Sequence, residues 1–256
     1  VGRPAPAIWY VDFSVLPELQ GRGHGRSLSE AWMKMCPNRV TFCNDSSIRV
    51  FLKLGWSERF DASARSLPID LGRPLPNGVW KRLFLTLSLG RLLAGPWRAA
   101  WRALLSGAPR LAARPLPDDA EALAKILGDP VPAEAAVVRD ADWARWRLLD
   151  HPRSGEYRLA ELGGVSAILR LFTSRGRRRA HLLHVGPGAN AARAGMVSAF
   201  ARWAVDQGAD DAWLATNDVS LLSAAAFRLP RRTALRFASH SDDAAVGAAL
   251  AAGLPT

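Results

Sequence analysis

Val15-Leu16-Pro17-Glu18-Leu19-Gln20-Gly21-Arg22-Gly23-His24-Gly25-Arg26 joins two stretches of different periodicity. Upstream, from Ile8 to Val15, the residues Trp9, Val11, Phe13 and Val15 fall on one face, the pattern of a half-buried strand. Downstream, Leu28, Ala31, Trp32 and Met35 recur at helical spacing, and Pro37 stops the run. A loop with Gly21, Gly23 and Gly25 between strand and helix can turn sharply and let an anion approach the backbone. The free N–H groups and the positive end of the helix dipole favour a phosphate there. Arg22 and Arg26 add positive charge at the mouth.

A glycine triplet by itself also serves a plain strand-to-helix turn, so the context decides. Gln20-Gly21-Arg22-Gly23-His24-Gly25, preceded by Val15-Leu16-Pro17, resembles the acetyl-CoA-binding motif of the GNAT acyltransferase superfamily, (Gln/Arg)-x-x-Gly-x-(Gly/Ala). A second piece of that pattern follows. Arg39 to Cys43 reads as a strand, and Asn44-Asp45-Ser46-Ser47 reads as the cap of a short helix. Ile48, Phe51 and Leu52 line one face of that helix, and Gly55-Trp56 closes it.

The resemblance implies an α/β fold with a mixed, mostly antiparallel sheet flanked by helices. It implies acetyl-CoA as co-substrate, no metal, and transfer of an acyl group to an amine carried by a small molecule or a peptide. The residues it assigns to CoA binding are Val15, Leu16, Gln20, Gly21, Arg22, Gly23, His24, Gly25 and Asn44. The thioester carbonyl is expected against backbone N–H groups around Phe13 to Leu16. Asp12, on the polar face of the strand, is the candidate base, although its position suits a solvent-facing residue better. One departure stands out. Many members of the family carry a tyrosine seven residues after the asparagine as general acid, and here that place is Phe51, which has no proton to give. A non-catalytic CoA-binding or interaction protein therefore stays open beside the enzyme.

The rest of the chain divides by composition. Residues 1–72 read as the C-terminal portion of a CoA-binding domain, since only seven residues precede Ile8. A complete domain of that family places roughly 60 to 90 residues of strands and helices before this point, so the stretch alone reads as an incomplete enzyme. Ser66 to Leu71 offers one more strand of that first unit. Residues 73–117 read as a linker holding Val79 to Leu105, where tryptophans and leucines interleave with arginines. Those ingredients suit an interfacial helix at a membrane surface or a pair of helices packed between domains. The segment is too charged to span a bilayer and reads as broken at Gly95-Pro96. The expectation is a pair of helices packed between domains.

Residues 118–240 repeat the first unit. Asp118-Asp119 and Asp140 read as helix caps, and Gly163-Gly164 as a hairpin turn between Tyr157–Leu162 and Val165–Phe172. A third strand runs to Val185, a loop follows, and a long helix starts near Asn190. Then come Ala212 to Thr216 as a strand and Asn217-Asp218 as a cap, in the place that Asn44-Asp45 holds earlier. Its loop, Val185-Gly186-Pro187-Gly188-Ala189-Asn190, lacks the Gln-x-x-Gly-x-Gly pattern, and Pro187 removes a donor. This unit reads as a degenerate copy that does not hold CoA, and residues 241–256 as a peripheral tail.

The net charge of +11 comes from thirty arginines and four lysines in an alanine-rich chain of 256 residues. That is the bias of GC-rich codons, and no aromatic-basic stacking motif accompanies it, so it does not argue for nucleic acid. Cys36 and Cys43 match no metal spacing and fit free thiols in a reducing cytoplasm. Val1 to Pro6 has neither the basic start nor the apolar run of a signal peptide.

Overall fold

The computed structural model describes residues 5–9, 15–43, 47–59, 63–70, 89–128, 138–216, 221, 231–234 and 236–252. In chain order its elements are β1 (Ile8–Trp9), a 3₁₀ turn (Pro17–Leu19), α1 (His24–Met33), β2 (Asn38–Cys43), α2 (Ile48–Lys53), β3 (Ser57–Arg59) and β4 (Ser63–Pro68). Next come α3 (Leu89–Leu104), β5 (Ala113–Pro115), α4 (Ala120–Leu127), and α5 (Ala141–Ala144), which runs on as a π-helical turn (Arg145–Leu149). Then follow β6 (Tyr157–Leu162), β7 (Val165–Ser174), β8 (Arg177–Val185), α6 (Asn190–Asp206), β9 (Asp211–Thr216), β10 (Arg231–Ala234), β11 (Arg236–Ser241) and α7 (Ala244–Ala252). This is a mixed α/β architecture in which β1 pairs with β2 and β8 with β9 in parallel, while β2 with β11, β11 with β3, β5 with β6, β6 with β7 and β7 with β8 are antiparallel.

The chain folds as two compact units. One draws on Val1–Ser63 and Thr233–Thr256, the other on Ala64–Asp129 and Val138–Arg232. The sheet of the first has the order β1-β2-β11-β3, and that of the second β10-β4-β9-β8-β7-β6-β5. The two share a layout. In each, a parallel pair encloses a loop and a helix (β1-α1-β2 and β8-α6-β9), and a further strand lies at the edge (β3 and β10). Between the second strand of the pair and the edge strand sits a strand from elsewhere in the chain. In the first sheet it is β11, which follows β10 after one residue; in the second it is β4, which follows β3 after residues 60–62. The strand after each edge strand thus crosses into the other sheet. The stretch around Ser66, expected as another strand of the first unit, is here a strand of the second unit's sheet. Alternation shows that a strand exists, but the choice of sheet is set by pairing across the fold.

The core of the second unit lies between its sheet and α6. Leu67, Leu169, Leu182, Met196, Phe200 and Leu214 are buried together there. Each large side chain so buried contributes roughly 1.5–3 kcal/mol. Apolar and small residues run right round α6, as a helix enclosed on several sides requires. Asp119 caps α4 by accepting from the N–H groups of Glu121 and Ala122, and Asp140 caps α5 by accepting from that of Trp143. Gly163 and Gly164 turn the hairpin with φ of 58° and 78°.

In the first unit Ile48, Phe51, Trp56 and Ala238 form a buried cluster, with Trp32 and Met33 packed on it. Three expected core positions turn outward: Leu28 and Leu52 are about half exposed and Met35 largely so. The stripe of α1 that turns inward runs through Ser29, Trp32 and Met33 instead. Ser29 fits because its hydroxyl donates to the Gly25 carbonyl at 2.8 Å and so needs no water. The tail from Ser241, expected to be peripheral, includes α7, where Leu250 is buried with Val40 and Phe237.

The expected break at Gly95-Pro96 does not occur. Backbone Leu89–Leu104 is one helix with Pro96 inside it. Trp97 and Trp101 hold it in place by donating both indole N–H groups to the Pro68 carbonyl, at 3.0 and 3.1 Å. One carbonyl oxygen has two lone pairs and can accept both. Trp101 and Leu105 join the second unit's core, so packing wins here over the proline's preference. Among the described residues no helix is long and apolar enough to cross a membrane. Pro96 is exposed, so Pro96→Ala removes no packing and restores a helical N–H. It should raise stability by up to about 3 kcal/mol, read as a higher denaturation midpoint. A lower midpoint would show that the helix is not continuous there.

Candidate functional site

The stretch from Val15 to Arg26 forms a tight, exposed loop on the first unit. Leu19 N–H donates to the Leu16 carbonyl at 2.9 Å and Gln20 N–H to that of Pro17 at 3.3 Å, closing the 3₁₀ turn. The Gln20 side chain reaches back, its Nε2 donating to the Val15 carbonyl at 3.0 Å, and ties the two arms of the loop together. Gly21 and Gly23 have φ of 77° and 84°, the left-handed region that side chains other than glycine occupy at a cost. Gly23 is the N-cap of α1 and offers no side chain to the helix end. Ser27 N–H donates to the Gly23 carbonyl at 3.0 Å as the first helical bond. The N–H groups of His24, Gly25 and Arg26 therefore precede any intrahelical acceptor.

A Cβ built on Gly21 or Gly23 would meet nothing within 4 Å. The space beside both is open, so these glycines are required by conformation and not by crowding. Gln20, Arg22 and His24 are exposed, Val15 is half-buried, and Leu16 is 60% exposed. Arg26 is less available than the sequence implied, because its Nε donates to Glu30 at 2.7 Å on the next turn. Asp12 and Asn44, the expected base and the expected capping asparagine, lie outside the described residues, as does Phe13. Phe51 is 5% exposed and packs its ring 4.7 Å from that of Trp56. At this position the chain has a core residue. Cys36 and Cys43 are free thiols. Among the described residues no group of three His, Cys, Asp or Glu is placed to hold a metal.

The loop at the same topological place in the second unit is filled by its own protein. Gly186 is buried and donates its N–H to the Ser166 carbonyl at 2.8 Å. A Cβ on Gly188 would stand 2.6 Å from Val165 Cγ2, and one on Gly128 3.1 Å from the Pro187 ring. Just before this loop, His184 Nδ1 faces Arg139 at 3.0 Å. Burial, then the Arg139 charge, pushes the His184 pKa down to about 4. His181, one turn of the pleat earlier, packs edge-on to Phe172 and against Trp213, each at 4.8 Å. Burial and the charges of Arg179 and Arg170 push it down to about 4 as well. Both are structural, neutral imidazoles, and sequence alone did not show the arginine beside His184.

No family model matches the chain, and no curated protein does. Among solved structures it is similar to a probable N-acyltransferase from Enterococcus faecalis V583, at 10% identity and TM-score 0.49 over 91% of this chain and 54% of that one. A GCN5-related N-acetyltransferase from Anabaena variabilis gives 13% identity and TM-score 0.44, over 91% and 55%. A putative acetyltransferase from Pyrococcus horikoshii gives 11% identity and TM-score 0.49, over 93% and 66%. The chain spans about half the length of the first two.

The two histidines set a pH dependence. A histidine whose folded pKa lies below its unfolded value binds fewer protons when folded, so stability rises with pH. With folded values of about 4 for His181 and His184, their contribution is full above about pH 6.5 and is lost as the pH falls toward 4. The expected loss between pH 6.5 and pH 5 is about 1.5 kcal/mol per histidine, measured by denaturant unfolding. His181→Phe keeps the aromatic stack and should flatten the slope. An unchanged slope would remove His181 from this account.

Proposed function

We propose that this chain is the CoA-binding part of an acyl-CoA-dependent N-acyltransferase that takes acetyl-CoA as donor and an amine as acceptor. The observation that carries the reading is the open glycine loop. Two left-handed glycines with free space around them lead into the bare N-terminus of α1, after the sequence Gln20-Gly21-Arg22-Gly23-His24-Gly25. Such a site suits a pyrophosphate, since backbone donors and the helix dipole act on the same anion. Arg22 adds charge at the rim. Acetyl-CoA would supply the activated acyl group, and this chain's residues would hold the nucleotide end and orient the donor. Val15 and Leu16 lead into the loop, where backbone pairing with the pantetheine arm would resemble the addition of a strand.

The base and the acid are a separate matter. Asp12 remains the proposed base, on the sequence pattern alone, as a carboxylate a few residues before the glycine loop. No side chain is proposed as the acid at position 51. A second reading rests on that residue: Phe51 sits in the core beside Trp56, which suits a CoA-binding protein without transfer activity. A reducing cytoplasm, where acyl-CoA is abundant, agrees with the two free thiols. We propose a small amine or a peptide amine as acceptor; contact with a membrane surface is kept as an outcome for vesicle sedimentation to reveal.

Titrating the 256-residue chain with CoA by calorimetry tests the loop. Gly23→Asp puts a carboxylate and a strained φ where the pyrophosphate would sit. Loss of two or three charge-assisted hydrogen bonds at about 1.5–3 kcal/mol each should abolish measurable binding. A folded Gly23→Asp protein with unaltered CoA affinity would sink the assignment. Release of free thiol from acetyl-CoA with and without added amines then separates the enzyme from the binding protein.

A further inference from the structure

The first unit contains one buried guanidinium that its proposed chemistry does not use. Arg39 lies in β2 and is 5% exposed. Its Nε donates to the Met33 carbonyl at the end of α1, at 2.7 Å. Its two terminal nitrogens donate to both carboxylate oxygens of Asp242, at 3.0 and 2.8 Å. NH1 also lies 2.8 Å from His240 Nδ1, which must accept, so that the imidazole carries its proton on Nε2. These contacts engage four of the guanidinium's five N–H groups. A bidentate guanidinium-carboxylate pair with a buried partner is among the stronger polar contacts a protein makes.

The position of Arg39 gives this contact its consequence. Along the backbone Arg39 is opposite Ile8 of β1 on one side and His240 of β11 on the other. Its side chain joins the C-terminal turn of α1 to the residue just past β11. Neighbouring contacts continue the seam: Ser241 Oγ donates to Asn38 Oδ1 at 2.6 Å, Asn38 Nδ2 donates to the Pro6 carbonyl at 2.8 Å, and Asp242 N–H donates to that of Pro37 at 3.0 Å. Ala238 of β11 packs in the same buried cluster as Trp32 and Met33 of α1. The helix that opens at the glycine loop therefore ends against β11.

We propose that β11 is a clip on the first unit, latched by Arg39 to Asp242 and His240, and that the order of α1 depends on the latch. The consequence for the glycine loop rests on the acyl-CoA reading: α1 begins at that loop, so releasing the clip would blur the N–H groups at its start and weaken CoA binding. Arg39 is a positioning residue in this scheme. It touches no reacting atom and acts through the helix.

Amide hydrogen exchange of the full chain without ligand tests the latch. Asp242 is 55% exposed at its side chain, so Asp242→Asn should fold. Losing the ionic partner should lower protection by about tenfold in residues 236–241 and, with them, in residues 24–33, and leave residues 157–185 unchanged. Asp242→Glu keeps the carboxylate and is expected to retain most of that protection. Loss confined to 236–241, an equal loss across 157–185, or no loss at all would each overturn the proposal. CoA calorimetry on the same proteins should show weaker binding for Asp242→Asn than for Asp242→Glu. If the unaltered chain binds no CoA, the acyl-CoA reading fails, while the exchange pattern still decides the latch.

Discussion

Backbone hydrogen bonding along Asn38–Cys43 governs the first unit. Asn38, Arg39, Val40 and Thr41 are buried in succession, which leaves their amides and carbonyls no access to water. A buried strand with one bare edge would strand several polar groups, at a cost of about 1–3 kcal/mol each. β1 serves one edge by parallel pairing and β11 the other by antiparallel pairing from Asn38 to Cys43. The glycine loop and α1 hang between β1 and β2. Whatever the loop binds, it is held by a sheet that is closed from the far end of the chain.

Much of this was legible in the residues. The glycine loop, the caps at Asp119 and Asp140, the hairpin at Gly163-Gly164 and the long helix from Asn190 rest on local chemistry, and the structure has them in place. The mixed, mostly antiparallel fold class was legible too. What sequence could not give was partnership. Nothing in Ser63–Pro68 or Arg236–Ser241 states which sheet each joins, because alternation encodes faces and not neighbours. Pro96 misled for a related reason: its local cost is set against two indoles bonded to one carbonyl, and that carbonyl lies far away in sequence. Arg39, at the start of the strand expected over Arg39 to Cys43, gave no sign of its partners. His184 gave none of its arginine neighbour.

The two strand-loop-helix segments show how little a shared layout dictates. Both begin on a strand paired in parallel with its successor, and both turn through glycines into a helix. In the first, Gly21 and Gly23 face empty space; in the second, Gly186 and Gly188 are pressed against Ser166 and Val165. Glycine answers opposite needs in the two places, conformational freedom in one and lack of bulk in the other. The architecture carries the site only where the loop is left open, and function follows the loop and not the fold.

The crossing of β11 into the first sheet sets a timetable for synthesis. At roughly 5–20 residues per second, the ribosome delivers β2 some ten to forty seconds before it delivers Arg236–Ser241. Throughout that interval the nascent strand has an unmet edge, the kind of surface on which chains pair with the wrong partner. The second sheet, by contrast, receives its borrowed strand β4 before most of its own strands exist. The glycine loop and α1 are thus synthesised well before the strand that completes the sheet holding them.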